Sequence, residues 1–191
     1  MKHKILFYTL LFYVSFSFAQ ERFENKTFGF SIDIPEGWGI DNGDDETIVP
    51  PDTILSEAKK DNLFKDGYLV YLVNSIKPHN RIYPHMTFSM VLNIIDDFEI
   101  FKKEVTSGLK KVDYYNNLKI LVEPTEIIIN NNKYLYLIMT YTKENSDQVI
   151  RNTVYLTRYK KYVYQMEFLD IPSEDDYSKL YSELIKTVKI E

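Results

Sequence analysis

The sequence predicts an α+β domain in which a central antiparallel sheet carries amphipathic helices on both of its faces. Three observations carry that expectation. Short segments of alternating or continuously apolar residues recur along the chain, separated by Pro, Gly, Asn and Lys-Lys turn signals. Two stretches, 97 to 111 and 173 to 188, instead repeat apolar residues at helical spacing. Tyr134 to Tyr141 is apolar on both sides, so each face of its strand needs cover. The 191 residues are 45% hydrophobic and 27% charged, with no linker, repeat or low-complexity stretch, which is the makeup of one globular domain.

The first segment reads as an address. Lys2 and Lys4 precede Ile5 to Phe18, an uncharged and mostly apolar run of 14 residues, too short for a permanent span. Ser17-Phe18-Ala19 puts small residues before a cut at Gln20, so residues 1–19 form a secretory signal peptide and 20–191 the exported domain, periplasmic or secreted. No later apolar run approaches a span's length, so no membrane insertion is expected after the signal is removed.

Within the domain, Thr27 to Ile34 alternates apolar and polar residues as a half-buried strand, and Pro35-Glu36-Gly37 turns it into Trp38. Ile48-Val49 before Pro50-Pro51 fits a short edge strand, and Asp52 or Thr53 caps a helix to about Leu63. Tyr68 to Val73 is a fully covered strand; Met86 to Ile94 alternates as the next one. Asp96 and Asp97 cap a helix on whose apolar stripe lie Phe98, Phe101, Val105, Leu109 and Val112. A strand through Leu118 and Val122 is expected to break at Pro124 and resume at Ile127. Asn130-Asn131-Asn132-Lys133 turns into Tyr134 to Thr142, followed by Val149 to Tyr159, a tight turn at Lys160-Lys161, and Tyr162 to Leu169, together a meander. Ser173 is the expected cap of a final helix striped by Tyr177, Leu180, Tyr181, Leu184, Ile185 and Val188.

The start "FENKTFGFSIDIPEGW", the central helix, the succession of strands and the terminal "FLDIPSEDDYSKLYSELIKTVKI" resemble the PsbP-like fold. That fold is shared by the extrinsic photosystem II subunit, a nuclear Ran-binding import factor and many bacterial envelope proteins. The resemblance covers nearly all of 22 to 190 and implies an α/β/α sandwich with a central antiparallel sheet, in proteins that act by binding or assembly rather than catalysis. One departure stands out: Lys160-Lys161 occupies the hairpin turn where a glycine is usual.

The chemistry that the residues exclude narrows function further. Cysteine is absent, which removes disulfides, thiolate metal sites and a thiol nucleophile. After the signal peptide, 21 basic face 28 acidic residues, net −7, a sign that argues against nucleic acid. His79 and His85 lack a third ligand at metal spacing, and Asp41, Asp44, Asp45 and Glu46 do not follow a calcium loop, so no metal or other cofactor is expected. There is no Gly-x-Ser-x-Gly elbow or phosphate loop, and Ser89 lies four strand residues, about 13 Å, beyond His85. No catalytic residue is therefore assigned, and Trp38 reads as a core plug more readily than a ligand stacker.

The expectation is an exported, non-enzymatic binding or assembly factor of the bacterial cell envelope that works through an unidentified protein partner. A carrier of a small apolar ligand in a pocket between sheet and helix, and an unrecognised envelope hydrolase, are the alternatives. Candidate contact residues are Arg81, Tyr83 and His85, in the proline-stiffened connection Lys77 to His85, because Arg and Tyr concentrate interface energy. Tyr114-Tyr115 is a second place where aromatics fall outside strand spacing.

Overall fold

In the computed structural model, the residues described are 21–41, 48–49, 68–74, 84–93, 95, 97–109, 111, 115–142 and 147–191. The expected signal peptide, the helix expected from Asp52 to Leu63, and Tyr114 lie outside them. The elements are β1 (Arg22–Asn25), β2 (Phe30–Asp33), β3 (Trp38–Asp41), β4 (Ile48–Val49), β5 (Tyr68–Asn74), β6 (His85–Leu92) and α1 (Phe98–Leu109). There follow β7 (Asn116–Ile129), β8 (Asn132–Thr142), β9 (Val149–Tyr159), β10 (Tyr162–Asp170), α2 (Ser178–Leu184) and β11 (Lys189–Ile190).

The main sheet is antiparallel throughout, with eight strands in the order β4-β3-β5-β6-β10-β9-β8-β7. β7 to β10 is the expected meander, and its first turn follows from its residues. Asn130 and Asn131 both take positive φ, the pattern of a type I′ turn, which asparagine tolerates because its short polar side chain tolerates the left-handed region. A smaller sheet, β1-β2-β11, brings the last strand of the chain beside the first two.

Period-2 alternation sends the strands' side chains to two cores. One face gathers Met86, Phe88, Tyr134, Tyr155, Tyr164, Met166 and Phe168 under Tyr181, Leu184, Ile185 and Val188 from α2 and the short turn of helix after it, together with Phe30 and Ile32 of β2. The other gathers Leu135, Leu137, Met139, Val154, Leu156 and Val163 under Phe101 of α1. Helices thus cover both faces, as the doubly apolar Tyr134–Tyr141 stretch required, and the architecture is the expected α/β/α sandwich.

Three local expectations differ from the structure, and one, for Trp38, holds. The strand expected from Thr27 begins at Phe30, because 26–29 is a turn in which Asn25 Oδ1 accepts the Phe28 N–H and Gly29 takes φ +59°; Arg22–Asn25 pairs back across it. Pro124 does not break β7. That strand is the sheet's edge, so the missing N–H faces away from the ladder, and register shifts between Ile120 and Val122 and between Val122 and Thr125 absorb the ring. Ser173 sits in a turn and caps nothing: α2 starts at Ser178, whose N–H is accepted by Asp176 Oδ1. Trp38 opens β3 and is 4% exposed, edge-on to Tyr177 and Tyr181, which makes it a core plug.

Candidate functional site: an aromatic and lysine-capped end of the sheet

The sequence-based contact residues divide. Arg81 and Tyr83 lie outside the described residues. His85 is the first residue of β6 rather than part of a free connection. Its backbone pairs with Leu169 and Val73, and its half-buried ring stacks on Tyr71 at 5.0 Å. Tyr115, expected as a loop aromatic, stacks on Tyr141 at 4.0 Å and is half-buried, so it packs against its own sheet.

Near that end of the sheet, ion pairing serves the scaffold. Arg151 of β9 donates through Nε to Asp170 Oδ1 (2.9 Å), through a second nitrogen to Asp170 Oδ2, and to Asp176. Asp170 is fully buried and also accepts the Tyr177 N–H at 2.9 Å, which ties the entry of α2 to β10. Burial works to lower the Arg151 pKa, but the hydrogen bonds to both carboxylates outweigh it and hold the guanidinium charged. The same contact, first among several, draws the Asp176 pKa below the ordinary carboxylate range. No group of three or more His, Asp or Glu at metal spacing occurs among the described residues.

The opposite end of the sheet is built differently. β6 ends at Leu92, opposite Tyr162, and Tyr162 is opposite Tyr159, so these three side chains form one row across adjacent strands on the α2 face. Three strands at about 4.8 Å spacing make the row roughly 10 Å long. Leu92 is 62% exposed, and Val91 beside it, on the other face, 56%. Tyr159 and Tyr162 are half-buried at the rim of the core, and Phe28 meets Tyr162 edge-on at 6.4 Å.

The β9–β10 turn caps this row with charge. Lys160 Nζ stands 4.7 Å from the centroid of the Tyr159 ring and Lys161 Nζ 5.4 Å from that of Tyr162. Neither ammonium has a carboxylate partner among the described residues. Lys160 also takes φ +52°, a region that glycine or asparagine enters far more cheaply. The tyrosine hydroxyls behind the row are set deeper: Tyr164 donates to the Phe28 carbonyl at 2.8 Å, and burial raises its pKa. The signal in the sequence was Tyr-Lys-Lys-Tyr between two strands, visible as a departure from a glycine turn; that Leu92 joins it depends on pairing between β6 and β10, which no local pattern encodes.

Comparison with known proteins bears on the fold alone. No family model and no curated protein matches the chain. Among solved structures it is similar to the cyanobacterial PsbP (CyanoP) of Synechocystis, with a TM-score of 0.53 at 10% identity over 89% of this chain and 91% of that one. The fold is PsbP-like. Two further structures overlap less well. A Bacteroides thetaiotaomicron protein gives a TM-score of 0.49 at 13% identity over 90% of this chain, which spans about half (48%) of that protein's length. LpqN of Mycobacterium tuberculosis, described as involved in cell envelope biogenesis, gives 0.48 at 12% identity over 84% of this chain and 82% of its own. In this PsbP-like chain the Leu92–Tyr162–Tyr159 row lies on the sheet itself, on strands held from both faces.

Proposed function

We propose that this PsbP-like chain is an exported, non-enzymatic protein of the bacterial cell envelope that works by docking a protein partner, and that the row Leu92–Tyr162–Tyr159 with its lysine turn is the docking surface. The signal-like residues 1–19 support export. One observation carries the docking: Leu92, largely exposed, stands beside two half-buried tyrosines on paired neighbouring strands, the combination of accessible apolar area and pre-ordered aromatics that interfaces use as anchors. A carrier function is less well supported, because the space between sheet and α2 is filled by rings: Phe30–Phe88, Phe88–Phe168, Tyr155–Phe168 and Phe168–Tyr181 centroids lie 5.1 to 5.6 Å apart.

The test is a photo-crosslinking residue placed singly at Leu92, Tyr162 and Ile128, the last being exposed on edge strand β7 and on the opposite face of the sheet, in the full chain in its native envelope. One crosslinked species shared by positions 92 and 162 and missing at 128 is expected. Products at all three positions alike, or at none, overturn the reading. The connection Lys77 to His85 is the rival surface, since His85 lies seven residue steps from Leu92 along β6, about 23 Å away. Replacing Arg81, Tyr83 and His85 together by alanine is expected to leave the 92 and 162 crosslinks in place. Their loss from a folded triple variant moves the docking surface to that connection.

A further inference from the structure

We infer that the partner docks on this row with an acidic segment, carboxylates flanking an aliphatic or aromatic side chain, and that Lys160 and Lys161 select it. The inference rests on the docking reading above and adds the chemistry of the occupant.

Three observations carry it. Both turn lysines are held by the faces of Tyr159 and Tyr162 at the rim of the exposed row, and neither is neutralised by a carboxylate among the described residues. Their charge runs against the chain as a whole, which is net −5, so the turn is a positive pair on an acidic protein and is complementary to a negative partner. Finally, Lys160 occupies a backbone conformation that a glycine or asparagine would enter at lower cost, so the local geometry of the turn does not account for a lysine there.

A protein segment fits better than a lipid surface. Electrostatic attachment to anionic membranes uses clusters of about four to eight lysines or arginines, and the acidic remainder of this chain would be repelled by such a surface. The row is also short, roughly 10 Å, and so accommodates one or two side chains of a partner between the ammoniums rather than a bed of acyl chains.

Two synthetic peptides, Asp-Asp-Leu-Phe-Glu-Glu and its amide counterpart Asn-Asn-Leu-Phe-Gln-Gln, titrated into the signal-free chain and followed by amide NMR shifts, test the inference. The acidic peptide is expected to move the resonances of Leu92, Tyr159, Lys160, Lys161 and Tyr162. The amide peptide is expected to bind about tenfold more weakly, and K160Q/K161Q to bring the acidic peptide down to that level. Higher salt is expected to weaken only the acidic complex. Equal binding of both peptides, or an unchanged K160Q/K161Q variant, overturns the charge selection while the docking reading stands on its crosslinks. No shift at millimolar peptide, or shifts elsewhere on the sheet, overturns the inference outright. Co-sedimentation with phosphatidylglycerol vesicles identifies a membrane as the occupant, and a concentration-dependent rise in hydrodynamic size without peptide identifies a second copy; either replaces the acidic segment.

Discussion

Replacing Lys160 by glycine, with Lys161→Gly as its partner experiment, separates the strain in the β9–β10 turn from everything else glycine does. Lys160 sits at φ +52° and Lys161 does not take positive φ. For an L-residue the left-handed region costs about 1 to 2 kcal/mol, so K160G recovers roughly 1.5 kcal/mol. Against that, a new glycine lowers stability by about 0.7 kcal/mol through the freedom it adds to the unfolded chain. The ammonium lost from an aromatic face takes away about 0.5 kcal/mol more. The net change for K160G is therefore near zero, within about 0.5 kcal/mol. K161G suffers both losses without relief and falls by about 1.2 kcal/mol. Urea unfolding followed by circular dichroism reads the difference, about 1.5 kcal/mol in favour of K160G with m unchanged. In thermal melts it amounts to about 3 to 6 °C for a chain of this size. If K160G loses as much as K161G, the turn is unstrained and the argument that this lysine is kept against its local geometry fails.

Three further outcomes follow from the packing. Asp170→Ala removes the buried acceptor of Arg151 and of the Tyr177 N–H, and is expected to cost about 3 kcal/mol, read as a shift in urea midpoint. Gly29→Ala places a Cβ 2.2 Å from the Glu191 carbonyl oxygen at φ +59° and should cost about 1 to 3 kcal/mol, with amide exchange at Lys189 to Glu191 rising first because β11 detaches from β2. Burial pushes the Tyr134 pKa up to about 12 from its ordinary 10, and raises Tyr155 and Tyr181 as well. A raised folded pKa means stability that is whole below pH 10 and lost as pH climbs through 12, about 3 kcal/mol for Tyr134 alone. Urea midpoints measured across that window should fall in step with tyrosinate absorbance, and Tyr134→Phe should flatten the fall.

Much of the fold was legible because apolar period is a local property that folding only reads out. Tyr134 to Tyr141 announced a strand buried on both sides, 97 to 111 a one-sided helix, and Asn130 to Lys133 a turn, in which the structure makes Asn130 and Asn131 left-handed. The misreadings came where a local preference was decided by position. Pro124 is a strand breaker in the middle of a sheet and harmless on an edge, and only strand order says that β7 is the edge. Ser173 is a good cap in isolation, yet α2 waits until Ser178 because Asp170 and Arg151, both from the sheet, fix where the helix can begin.

The sequence by itself determined the class, the two faces of the sheet, the absence of cysteine chemistry and the order of the meander, since each depends on residue types within a few positions of one another. Only the tertiary structure decided which aromatics are core and which are surface. His85 and Tyr115, conspicuous in the sequence, are stacked on Tyr71 and Tyr141, whereas Leu92, inconspicuous as the end of an alternating strand, stands exposed beside Tyr162 and Tyr159. The physical reason is that a side chain's exposure is set by what the rest of the chain brings over it, through pairings such as Leu92 with Tyr162, seventy residues apart, that no local periodicity contains.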